Sequence, residues 1–256
     1  MNDLDNYIDN FQGTIPLIIS VSHGGVKKFR EIPNRKKGIL GIDKKTINLA
    51  HELIENIKNL YNDLSGKIEY PSFVISNVHR SKIDLNRPKS EAFDKNSKLA
   101  ESIYNFYHGK ISEFISFNLR SFNWSLLIDI HGFEKNKRPE GYRDVELILG
   151  TSNMKSMYST PLPKKDWKKS FRGKIIKNFN KLNIPIAPGS HLRKEYVLTG
   201  GFITTQYGAS KIPNSQTLQI EFSDRVRIYD EDLKMLVLKI LAQLVYEEIM
   251  ESRNII

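Results

Sequence analysis

The run Ile15-Pro16-Leu17-Ile18-Ile19-Ser20-Val21-Ser22-His23-Gly24-Gly25 decides how this chain is read. Its apolar, β-branched residues fit a buried strand over 15–21, and the strand runs straight into a histidine and two glycines. A second segment, Trp124-Ser125-Leu126-Leu127-Ile128-Asp129-Ile130-His131-Gly132, ends the same way. In open α/β sheets, sites form beyond the carboxyl ends of the strands. A histidine at such an end, next to a glycine with no side chain to crowd it, is placed to meet a ligand or a metal. Two matching ends suggest one assembled site.

Working outward, residues 24–42 are polar, with Gly and Pro, and read as a loop. Periodicity predicts helices over 44–60, 96–117, 166–182 and 230–250. Ile47, Ala50, Ile54 and Ile57 share a face of the first, and Asp43 stands where its N-cap would be. Further strands are expected at 70–78, 124–130, 144–149, 202–207 and 217–222. Strands alternating with helices, several of them apolar throughout, imply an α/β fold: three α/β/α layers with a mixed, mostly parallel central sheet. With 256 residues, no internal repeat and no Pro/Gly-rich linker, a single domain over 1–256 is expected.

The chain has no cysteine, which excludes disulfides and thiolate metal sites, so any metal must be held by His, Asp or Glu. No apolar run is long enough for a membrane span. The start, Met1-Asn2-Asp3-Leu4-Asp5, lacks the features of a signal peptide, so a cytoplasmic location is the default expectation. The net charge of +10 attracts anions. Nucleic acid is the weaker reading, because the lysines are scattered and no nucleic-acid motif accompanies them. A small anionic substrate fits the charge equally well.

His23 and His131 are the candidate metal ligands. Zinc suits an all-His/carboxylate hydrolytic site, with manganese and iron as alternatives, and one ion per chain is expected. Asp129 precedes His131 by two residues, shares its strand face and is placed to orient the imidazole. Glu221 lies inside the apolar run Thr217-Leu218-Gln219-Ile220-Glu221-Phe222-Ser223. Burial there raises a carboxyl toward the range of a general base. The competing reading is an ion pair with Arg225 or Arg227. The stretch His79-Arg80-Ser81-Lys82-Ile83-Asp84-Leu85-Asn86-Arg87 offers Arg80, Asn86 and Arg87 as a carboxylate clamp. Its plainer alternative is a surface loop with Asp84 paired to an arginine. His51, His79 and His108 read as structural.

Taken together, these segments resemble the N-formylglutamate amidohydrolase family, which is related to zinc carboxypeptidases. The matching segments are Ser20-Val21-Ser22-His23, Arg80 with Asp84-Leu85-Asn86-Arg87, Asp129-Ile130-His131, Gly200-Gly201 with Tyr207-Gly208, and Gln219-Ile220-Glu221. They run over about residues 15–225 in the family's order. The resemblance implies a carboxypeptidase-like (phosphorylase/hydrolase-like) sheet between helix layers and hydrolysis of an N-acylated amino acid such as N-formylglutamate. A peptidase or amidase acting on cell-wall or γ-glutamyl peptides is the alternative. The resemblance also implies zinc on His23 and His131, Asn86 and Arg87 gripping a carboxylate, Arg80 as an anion or oxyanion contact, and Glu221 as base. One feature departs from carboxypeptidases, whose second ligand comes in a His-x-x-Glu segment. Here Val26 stands three residues after His23 and cannot ligate. Asp43, where the formylglutamate family also carries an acid, is the expected replacement, with Glu31 as runner-up. Arg35, Gly200, Gly201 and Tyr207 are further candidates for substrate contact.

Overall fold

The computed structural model describes residues 4–138, 140–196 and 198–253. Among these, seven strands form one sheet: β1 (Ile8–Phe11), β2 (Leu17–Val21), β3 (Ser72–Ser76), β4 (Ser125–Phe133), β5 (Leu147–Gly150), β6 (Ile186–Ala187) and β7 (Ser215–Ser223). Their order is β1-β3-β2-β4-β7-β5-β6. Strands β3, β2, β4 and β7 are parallel, β1 and β5 join antiparallel, and β6 runs parallel to β5. The helices are α1 (Thr46–Ser65), α2 (Lys89–Ala92), α3 (Lys98–Phe122), α4 (Phe171–Lys181), α5 (Phe202–Tyr207) and α6 (Glu231–Arg253). This is the α/β fold with a mixed, mostly parallel sheet that the sequence implies.

Side-chain alternation explains why both faces of the sheet are covered. Leu17, Ile19 and Val21 of β2 and Leu126, Ile128 and Ile130 of β4 pack in one cluster with α1, α4 and α6. Ile18 and Leu127 face the other way, into a second cluster built on α3. The chain leaves β2 through α1 to β3 on one side, then passes through α3 to β4 on the other. The carboxyl ends of β2 and β4 therefore flank the point where the strand order reverses, the place where such sheets open a crevice.

Several expectations need correction. Residues 202–207 form the short helix α5, not a strand. Asn86 Oδ1 accepts from the Ile203 N–H (2.9 Å), so a side chain from a distant loop serves the start of this helix. The helix expected over 166–182 is a 3-10 turn at Lys164–Lys169 followed by α4, whose Ser170 cap accepts from Gly173 N. Asp43 does not cap α1: Lys45 occupies that place in the left-handed region (φ 65°), with no side-chain cap. Strands β1 and β6 have no counterpart in the sequence reading. No helix among the described residues is long and apolar enough to cross a membrane.

Candidate metal centre and active site

Three side chains from three places in the chain meet at the crevice. His23 lies two residues beyond β2, His131 is in β4, and Asp43 is on the loop before α1. Each offers one ligand atom, and these atoms all lie within 4.8 Å of one another. Asp43 is positioned by its backbone, whose N–H donates to the His23 carbonyl (2.9 Å). Gly24 and Gly132 are required by close packing. A Cβ on Gly24 would press on Thr46 and Ile47, and one on Gly132 would collide with the Arg227 guanidinium.

Both imidazoles are held the same way. His23 Nε2 is 2.7 Å from Asp84 Oδ1, and His131 Nε2 is 2.8 Å from Asp129 Oδ2. Asp129 is itself fixed by the Ser20 hydroxyl, which donates to Oδ1 (2.6 Å). A carboxylate on Nε2 makes that nitrogen the protonated one and leaves the Nδ1 lone pair free. Both Nδ1 atoms face Asp43 Oδ2, at 3.6 Å from His23 and 3.0 Å from His131. His23 Nδ1 is buried with no hydrogen-bond partner. Two imidazole lone pairs and a carboxylate turned toward one another fit a divalent cation. Two His nitrogens and one carboxylate oxygen are a donor set that catalytic zinc accepts.

The same groups set the electrostatics of the ion-free site. Burial alone would raise the Asp43 carboxyl, but hydrogen bonds and charge from His131 and His23 hold it well below the usual range. Burial opposes charge on His131, yet Asp129, Asp43 and Glu221 together push its pKa well above that of an ordinary imidazole. Three carboxylates gathered around one buried ring thus favour positive charge at this point.

Glu221 is in register with His131 across the parallel pair β4–β7, so both side chains leave the same face. Gln219 Nε2 donates to Glu221 Oε1 (2.8 Å), and Gln219 Oε1 accepts from Gly201 N (2.7 Å). Burial, with the charge of Asp43, raises the Glu221 carboxyl against the opposing pull of His131. The alternative ion pair does not form. Arg225 bonds to Asp230 and Glu146, and Arg227 donates to the carbonyls of Phe222, Lys44 and Phe133.

These groups line a cleft of about 780 Å³ that also holds Arg80, Asn86, Arg87, Gly200 and Gly201. Arg80 Nε donates to Asp84 Oδ2 (3.0 Å). Asn86 is occupied by the scaffold, with Nδ2 3.0 Å from His131 Nε2 and Oδ1 on α5. A Cβ on Gly201 would collide with that amide. Three expected residues do not line this cleft. The Tyr207 hydroxyl is buried against His108 Nδ1 (2.8 Å), outside the cleft. Arg35 lines a neighbouring cavity and reaches the carbonyls of Ile39 and Arg80. Glu31 is exposed and accepts from the Tyr7 hydroxyl, apart from the His cluster. Sequence reasoning missed Asp84 as the partner of His23, Gln219 as the link to Glu221, and Arg227 in the cleft wall. The late Gln-Ile-Glu run carried a signal for Gln219; Arg227, which the sequence offered only as an ion-pair partner of Glu221, arrives through a π-helical turn at Arg225–Tyr229.

No family model and no curated protein matches the sequence. Solved structures match in fold. An N-formylglutamate amidohydrolase from Ralstonia eutropha JMP134 aligns with a TM-score of 0.66 at 12% identity, covering 98% of this chain and 99% of that one. The gene product Atu2144 of Agrobacterium tumefaciens gives 0.60 at 12% identity, covering 97% and 95%. A bacteriophage poly-gamma-glutamate hydrolase gives 0.47 at 11% identity, covering 94% and 88%. By fold the chain is thus an α/β protein with a mixed, mostly parallel sheet. The fold is similar to that of the N-formylglutamate amidohydrolase, along nearly the full length of both chains.

Proposed function

We propose that the protein is a zinc-dependent hydrolase that cleaves the amide of a small anionic N-acylated amino acid, with N-formylglutamate as the nominal substrate. The observation that carries this reading is the convergence of two carboxylate-oriented imidazoles on Asp43, with Glu221 raised by burial on the same face of the sheet. The similar fold of an N-formylglutamate amidohydrolase supports it.

His23, Asp43 and His131 would hold the ion, which when bound supplies Lewis-acid polarisation of the amide carbonyl and acidifies the attacking water. Glu221, with its raised pKa, takes the proton of that water on its carboxylate and delivers it to the leaving nitrogen. Arg87 is exposed at the cleft, and with Arg80 supplies cations for the substrate carboxylate. Asn86 acts mainly by fixing the start of α5. Anchoring the carboxylate holds the amide beside the base, which converts binding into orientation.

The test is a panel of N-acyl amino acids assayed on never-chelated protein, alongside elemental analysis. One zinc per chain is expected. Glu221→Gln should keep the metal and lose about 10²–10⁴-fold in kcat, the usual worth of a general base. A fully active Glu221→Gln enzyme would remove this carboxyl from the chemistry.

A further inference from the structure

Beside the cleft lies a second cavity of about 740 Å³. Arg35, Lys36, Lys37, Arg87 and Lys95 line it, opposed only by Glu91 and Asp94 among charged residues. Arg87 borders both cavities, so one exposed guanidinium stands between them. Its backbone is anchored, because the Tyr104 hydroxyl donates to the Arg87 carbonyl (3.0 Å).

The wall between the cavities carries more positive charge than it neutralises. Asp84 Oδ2 lies 3.0 Å from Arg80 Nε, 3.5 Å from Arg35 Nη1 and 3.9 Å from Arg87 Nε. The other oxygen of Asp84 is already engaged by His23 Nε2 and by Asn86 N. Asp84 therefore faces three guanidiniums, Asp43 Oδ1 adds a second carboxylate 3.9 Å from Arg80 Nη1, and two of the three cations, Arg35 and Arg80, are only 8% exposed. Arg35 Nε is buried with no hydrogen-bond partner. Buried positive charge left without a counter-ion is costly, and an arriving anion relieves the cost.

We propose that this second cavity is an anion subsite. It takes a further carboxylate of an extended, acidic, peptide-like substrate whose first carboxylate lies in the cleft. The cavity gives Arg35 a role that its position outside the cleft otherwise denies it. Carboxylate is favoured over phosphodiester because an amide bond, the bond placed at the neighbouring centre, joins carboxylate-bearing units. In this respect the inference rests on the amide-hydrolase reading, whereas the binding it predicts does not.

The experiment is calorimetric titration of the Glu221→Gln protein, which reads binding without turnover. N-acetyl-triglutamate should bind at least tenfold more tightly than N-acetylglutamate. The preference should vanish in K36A/K37A/K95A while N-acetylglutamate binding stays unchanged. It should survive in K165A/K168A/K177A, which removes the same charge from residues that line neither cavity. Equal affinity for the two glutamyl ligands overturns the subsite. So does a preference lowered equally by both triple variants, which would be the general field of a basic protein. Tighter binding of tetrathymidylate than of the triglutamate overturns the carboxylate assignment. A protein that hydrolyses no N-acyl amino acid yet binds triglutamate in this way refutes the proposed function and leaves the subsite standing.

Discussion

At the scale of single residues, the orientation of the two imidazoles matters more than their presence. Asp129 and Asp84 each occupy Nε2, so both rings turn Nδ1 inward. Asp129→Asn should therefore lower zinc affinity about 10–100-fold, as loss of such outer carboxylates does elsewhere, while leaving the fold intact. Competition against a chromophoric chelator reads the change; unchanged affinity would mean that Asp129 does not set the ring. Much of this was legible. His23 and His131 declared themselves by ending apolar strands in glycine, and Asp129 by sharing the strand face of His131. Asp84 was legible only as an arginine partner, because its contact with His23 spans 61 positions and leaves no periodic trace. Asp43 was placed by family likeness alone; the loop that delivers it has no pattern to read.

At the scale of elements, apolar strands were legible and short or borrowed structure was not. Strands β2, β4 and β7 are buried on both faces, so their composition identifies them. The edge strand β1, Ile8-Asp9-Asn10-Phe11, pairs only with β3 and carries little apolar signal. Helix α5 contains Ile203, Thr204 and Thr205, β-branched residues that favour a strand, and tertiary contacts override them. Asn86 and Gly201 are those contacts, which makes Gly201→Ala a test. Its methyl would displace the amide that holds the start of α5, so a loss of about 1–3 kcal/mol in urea unfolding is expected, as for other overpacked sites. A silent Gly201→Ala would mean that the loop yields. The α3–α5 contact offers a second test, through pH. Burial lowers His108 from 6.5 to about 4, so the imidazole is neutral in the fold beside Tyr207. Its contribution is fully present above pH 6.5, declines as pH falls, and is lost below about pH 4. The total amounts to about 3 kcal/mol. His79, lowered by partial burial, adds a smaller slope of the same sign. Between pH 6.5 and 4 the urea midpoint of the native protein should fall more steeply than that of His108→Gln. Parallel curves would show that His108 does not titrate there.

At the scale of the whole molecule, the sheet brings carboxyl and imidazole groups from distant segments into one site. Segments as far apart as β2, the loop before α1, and β4 contribute one ligand each, so an ion bound there ties together parts of the chain that separate on unfolding. Binding to the native state alone stabilises it by about 2.7 kcal/mol when free zinc is at a hundredfold its Kd. For a chain of this size that corresponds to a rise in Tm of roughly 5–10 °C. Chelation of the purified protein should therefore lower Tm by that amount, and stoichiometric zinc should restore it. His131→Ala supplies the control, because a protein lacking one ligand should respond to neither treatment. The measurement needs no substrate, so it separates the metal centre from every assumption about the reaction. Equal Tm with and without zinc in the native protein would leave three converging donors with no ion to explain them. The convergence would then be a buried hydrogen-bond network, with His131 protonated against Asp43 and Asp129 in place of a bound cation.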